Sequence, residues 1–119
     1  MRLKAILKKH LPNADIYCPV ENHPTSINYS RQQAEAVFDK HIRQASDSDI
    51  VIAYLPTASM GTAIEMWEAH NNGKTVFTIS PMTTNWVIQL FSTRNFASFD
   101  DFEKFAAEGQ LARFVEALL

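Results

Sequence analysis

The chain has 119 residues, 46% hydrophobic and 20% charged, which is the balance of an ordinary globular protein and fits a single domain over residues 1–119. A formal net charge of −2 argues against a binder of nucleic-acid polymers, and no apolar run approaches the roughly 18 residues of a membrane span. The single cysteine, Cys18, excludes an internal disulfide and is most simply read as a mark of a reducing, cytoplasmic setting.

The opening stretch MRLKAILKKHLPNAD lacks the apolar core and cleavage site of a signal peptide. Within it, Leu3, Ile6, Leu7 and Leu11 share one helical face, so residues 2–11 read as a short amphipathic helix ended by Pro12 and Asn13. ADIYCPV, residues 14–20, is a strand candidate stopped by Pro19, and the turn-forming stretch ENHPTSINY follows. Ser30 with Gln33 has capping-box spacing and opens a second helix that runs to about Ser46. Asp39 sits at the edge of that helix's buried face, about 100° from the centre of its apolar stripe.

DIVIAYLP, residues 49–56, is nearly continuous in apolar residues, as expected of a parallel strand covered on both faces. A helix then runs between an N-cap at Ser59 and a C′ glycine at Gly73. KTVFTISP is a second buried strand, ended by Pro81. MTTNWVIQLFSTR, residues 82–94, reads as a helix, and NFASF, residues 95–99, as a shorter strand. Asp100 or Asp101 is expected to cap a last helical region, interrupted near Gly109. This alternation predicts an α/β fold with a mostly parallel sheet, and ligands in such sheets bind beyond the carboxyl ends of the strands.

The stretch most suited to chemistry is Ser59-Met60-Gly61-Thr62-Ala63-Ile64-Glu65. Gly61 admits close approach of a ligand to the backbone. The amide groups of the first helical turn, with the Ser59 and Thr62 hydroxyls, form a site for anions or sugar hydroxyls. Glu65 stands at the end of the first turn or the start of the second, where the helix dipole is expected to keep it ionised. An ionised carboxylate at a cleft can attack an anomeric carbon. Taken alone, each residue has a plainer reading: Ser59 as a cap, Asp39 as a surface carboxylate, Trp67 and Trp86 as core or interface residues. His10, His23, His41 and His70 lack the spacing of metal ligands.

The run SDIVIAYLP-TASMGTAIEMWEA-HNNGKTVFTISP resembles the nucleoside 2-deoxyribosyltransferase family. That family carries an Asp or Ser six residues before its catalytic Glu, as Ser59 precedes Glu65, and an Asp on the preceding helix, where Asp39 stands. The resemblance spans roughly residues 30–105. It implies a flavodoxin-like three-layer sandwich with a four- or five-stranded sheet, assembled as a homo-oligomer. It implies cleavage of the N-glycosidic bond of a 2′-deoxynucleoside or its 5′-monophosphate through a deoxyribosyl ester on Glu65, with transfer to another base or to water. Asp39 would assist at the sugar or the leaving base; Ser59, Gly61, Thr62 and Asn85 would bind substrate. No metal or organic cofactor is required.

The motif is mixed. Ser59 is the residue of the monophosphate hydrolases rather than of the nucleoside transferases, which have Asp there, yet Ala63 stands where those hydrolases have a second Gly. Family members begin with a central apolar strand. Here Met1 leads directly into the first helix, and ADIYCPV lies too close to Asp39 to take that place, so that strand and part of the base pocket are expected to be missing. FVEALL is apolar where relatives often have a polar tail. The alternative reading is a nucleotide-binding or regulatory domain of the same fold without turnover; a third is an interaction module marked by exposed tryptophans.

Overall fold

The computed structural model describes residues 2–17 and 30–118. Its elements are α1 (Arg2–His10), α2 (Arg31–Asp47), β1 (Ile50–Tyr54), α3 (Met60–Asn71), β2 (Thr75–Ile79), α4 (Trp86–Phe91), β3 (Arg94–Phe96), α5 (Phe99–Ala107) and α6 (Gln110–Leu118). The three strands form one parallel sheet in the order β1-β2-β3, with Ile50 opposite Thr75, Tyr54 opposite Ile79, and Phe77 opposite Arg94. This is an α/β architecture compatible with a flavodoxin-like fold, but the described residues form three strands where the resemblance implies four or five. Residues 14–17 of the expected strand 14–20 join no sheet, and residues 18–20 and the following turn-rich stretch lie outside the described residues.

Alternation along β2 divides the core. Phe77 and Ile79 face one side, packing with Ile6 and Leu7 of α1, Phe96 of β3, Phe102 and Phe105 of α5, and Leu111 of α6. Val76 faces the other, packing with Ala53, Leu55, Met66 and Ala69 of α3, and Ile88 of α4. Every residue of β2 is buried, as a central parallel strand covered on both faces should be. The helix α2 packs along α3.

Local signals place most boundaries. Ser30 and Gln33 make both bonds of the capping box, at 3.2 and 2.9 Å. Ser59 caps α3, and Gly73 takes φ +70° just past its end, a conformation that a side chain would strain. Gly109, at φ +79°, divides α5 from α6. Two boundaries differ from expectation. The expected helix 82–94 contracts to Trp86–Phe91, because Asn85 caps it and Thr93 is drawn onto the sheet: its N–H donates to the Val76 carbonyl at 2.7 Å and its hydroxyl accepts from Val76 N–H at 3.0 Å. The cap of α5 is Ser98, whose Oγ accepts from Asp101 N–H, so β3 ends at Phe96 and Asp100 and Asp101 lie in the first turn.

A buried polar network ties the three strand ends together. The Thr78 hydroxyl donates to Asn95 Oδ1 at 2.7 Å, so its 3.0 Å contact with Ser92 Oγ has Ser92 as donor. Asn95 Nδ2 donates to the Ser80 carbonyl, and Ser80 Oγ donates to the Leu55 carbonyl while accepting from Met82 N–H. Thr78 and Ser80 are fully buried. Thr78→Val keeps the shape and strands these partners, so it is expected to cost about 1–3 kcal/mol in denaturant unfolding; a change within about 0.5 kcal/mol would show that the network contributes little.

Candidate functional site

The loop from Leu55 to Ser59 leaves the carboxyl end of β1 and enters α3. Ser59 adopts an extended conformation, φ −135°, and its Oγ accepts the Thr62 N–H at 3.3 Å. The Ala63 N–H already bonds the Ser59 carbonyl. The amides of Met60 and Gly61 remain, because the first residues of a helix have no intrahelical acceptor. The anion site expected at this turn therefore reduces to two N–H groups and the hydroxyls of Ser59 and Thr62. What approaches Gly61 is Phe38 of α2: a Cβ at Gly61 would lie 3.4 Å from the Phe38 ring. That is the margin of ordinary van der Waals contact, so a side chain already borders the space over Gly61.

Glu65 is half-buried, with no ion pair among the described residues. Burial pushes its carboxyl above the ordinary value of 4.5. The sequence predicts the opposite tendency from the helix dipole. However, α3 begins at Met60, so Glu65 is the sixth residue and lies beyond the first turn, where the dipole acts. Desolvation prevails. A carboxyl in this state is a stronger base and nucleophile once ionised than a solvated one.

Asp39 is placed differently from the expectation of a cleft carboxylate. Its side chain is 58% exposed and pairs with Arg43, one turn on, at 2.8 Å. No hydrogen bond or ion pair joins Asp39 to Glu65 among the described residues. An exposed pair of this kind contributes little, so Asp39→Ala is expected to leave unfolding free energy within about 0.5 kcal/mol of the parent. A larger loss would mean that Asp39 does more than pair with Arg43. Asn85 is a cap: its Oδ1 accepts from Val87 and Ile88 N–H at 2.9 and 3.4 Å.

A cavity of about 290 Å³ opens where all three strands end. Tyr54 at the end of β1 and Pro56 just after it line the cavity, with Ser80 and Pro81 just after β2, and Ser98 and Phe99 at the start of α5. The Tyr54 and Phe99 ring centres lie 4.5 Å apart with their planes tilted by 51°, and the Arg2 guanidinium lies 5.0 Å from the Phe99 ring centre. Arg2 also pairs with Asp100 at 2.8 Å and Glu103 at 3.0 Å, and these bonds raise its pKa. This is the position at which open parallel sheets bind ligands, yet Glu65, Ser59 and Asp39 do not line the cavity. The loop 55–59 connects the two: Pro56 borders the cavity at its start, and Ser59 caps α3 at its end. A second concavity, of about 440 Å³ beside Phe77, Arg94 and Phe114, lies toward the amino end of β3. Residue spacing does not reveal the cleft formed by Arg2, Tyr54 and Phe99, because they are far apart in the chain.

Comparison with models of protein families, with characterised proteins and with solved structures yields no match. Among the described residues, no helix is long and apolar enough to cross a membrane.

Proposed function

We propose that this domain cleaves the N-glycosidic bond of 2′-deoxynucleosides or their 5′-monophosphates, with Glu65 as nucleophile. The observation that carries the reading is the desolvated Glu65 carboxyl, one turn into the helix that follows a parallel strand, behind the Ser59-Met60-Gly61-Thr62 turn. In the first step a Glu65 oxygen bonds to C1′, and the C1′–N bond breaks. The base departs with the bonding electron pair and takes up a proton. In the second step the nitrogen of another base, or water, attacks C1′ and restores the carboxylate. The Ser59 and Thr62 hydroxyls bind the sugar or its phosphate, and a hydroxyl at Ser59 accepts a phosphate that a carboxylate would repel.

The position of Asp39 favours a second reading, a nucleotide-binding domain without turnover. Paired with Arg43 on the surface, Asp39 is poorly placed to protonate a leaving base. In that reading the Tyr54–Phe99 pair and Arg2 hold a planar ligand in the strand-end cavity.

Incubation with 2′-deoxynucleosides and their 5′-monophosphates, with and without free adenine, separates the two. Release or exchange of base, followed by chromatography, is the expected result. Absence of turnover, together with a nucleotide-dependent rise in melting temperature, would replace the catalytic reading with the binding one.

A further inference from the structure

We propose that the concavity beside Phe77 is a second binding site, for a planar aromatic carboxylate. Its volume of about 440 Å³ suits a small molecule. The buried rings of Phe77 and Phe105 and the half-buried ring of Phe114 form its apolar lining. Two exposed cations complete it: Arg94 at the start of β3 and Arg113 in the first turn of α6. The site lies toward the amino end of β3, on the sheet face that packs α5 and α6. It is therefore separate from Glu65 and from the strand-end cleft, and it does not depend on the proposed chemistry.

Charge and shape both select the ligand. Among the described residues, neither Arg94 nor Arg113 pairs with a carboxylate. The Arg94 guanidinium contacts rings instead, 4.8 Å from the centre of Phe96 and 4.8 Å from that of Phe105. Arg113 donates one Nη to the Glu108 carbonyl at 2.9 Å. Carboxylates of the preceding helix are engaged elsewhere: Asp100 and Glu103 with Arg2, and Glu108 with Lys104 and Gln110. The Thr93 hydroxyl and the Gln110 amide, the remaining polar side chains of the lining, already bond Val76 N–H and Glu108. The guanidiniums are thus the groups left to hold an anion, and their planar forks match a carboxylate. The lining rings meet Phe77 edge-to-face, at 74° for Phe105 and 61° for Phe114. A further aromatic ring extends such a cluster. A flexible alkyl chain would lose more conformational freedom on binding. The sugar of a nucleotide would set hydroxyls against rings that cannot bond them.

Naphthoate is a direct probe, because its own fluorescence reports binding. Titration is expected to give a Kd on the order of 100 μM, with amide NMR shifts concentrated at Thr93, Arg94 and residues 110–114. Octanoate, neutral naphthylmethanol and cationic naphthylmethylamine should each bind at least about 10-fold more weakly. Arg94→Met and Arg113→Met keep the apolar stem and remove the charge. Each should weaken naphthoate at least about 10-fold with an unchanged circular dichroism spectrum. The ligand series needs no substitution and decides the matter if either variant misfolds. A 2′-deoxynucleoside 5′-monophosphate should not displace the probe. No binding at millimolar naphthoate, equal binding of the alcohol, the amine or octanoate, displacement by the nucleotide, or full affinity in both methionine variants would each overturn the proposal.

Discussion

Glu65→Gln is expected to lower deoxynucleoside turnover by at least about 1,000-fold and to leave the fold intact. Gln has the shape of Glu but cannot form the glycosyl ester, so a nucleophilic role predicts loss of turnover rather than a mere rise in KM. The pH dependence adds a second reading of the same group. Only the ionised carboxylate attacks, and burial pushes the Glu65 carboxyl above 4.5. The acid limb of turnover should therefore lie above the range of an ordinary carboxylate and disappear in the variant. Stability should change in the opposite sense. Between the unfolded and the raised folded pKa, the folded chain binds more protons, so the contribution of Glu65 to stability is present at low pH and is lost as pH rises through the folded value. At neutral pH the half-buried charge is a burden, and Glu65→Gln should melt higher than the parent. That gain should vanish when both chains are unfolded below the ordinary carboxylate range. A variant that keeps turnover would end the nucleophile assignment, whereas one that melts no higher at pH 7 would count only against the burial argument.

The legible parts of this molecule are those in which one local signal decides. DIVIAYLP and KTVFTISP are too uniformly apolar to be anything but strands, and both take that place as β1 and β2; β2 is buried throughout, whereas β1, at the sheet edge, is mostly half-buried and ends on the exposed Tyr54, so the expected cover on both faces is not met there. Ser30 with Gln33, Ser59, and Gly73 mark helix ends through bonds or dihedrals that involve only a few neighbouring residues. Where two signals compete, sequence reading is less secure. Ser98, Asp100 and Asp101 all suit an N-cap, and the choice of Ser98 follows from where β3 leaves the sheet. The helix of residues 82–94 contracts because Thr93 bonds Val76, a contact across 17 positions that no local pattern encodes. The site shows the same division. The Arg43 pairing of Asp39 is an i,i+4 relation that was readable from spacing and points to a surface role. The desolvation of Glu65 depends on what packs over α3, which spacing does not contain. The cleft of Arg2, Tyr54 and Phe99 arises only because three strands end together and α1 packs on α5.

The largest stability effect is expected at Phe77. Phe77→Ala should cost about 3–5 kcal/mol, a large share of the roughly 5–15 kcal/mol that holds a typical domain together. Phe77 is 1% exposed and meets an aromatic ring on each of three elements: Phe96 of β3 at 5.9 Å, Phe105 of α5 at 5.9 Å and Phe114 of α6 at 5.1 Å. These are edge-to-face contacts, which add to the stabilisation from buried area. One side chain on the central strand thus fastens the two C-terminal helices to the sheet. Truncation leaves a void that those rings cannot fill without moving the helices. Phe77→Leu retains much of the volume and should cost about 1.5 kcal/mol or less. Leu90→Ala, on the exposed face of α4, should change the stability of the monomer by no more than about 0.5 kcal/mol. Denaturant unfolding at fixed protein concentration measures all three. If Phe77→Ala and Leu90→Ala proved equally mild, the aromatic cluster would not be the core of this half of the domain. The predicted order instead places the main stabilising contact on the sheet face opposite Glu65's helix, leaving α3 and its turn free to carry the proposed site.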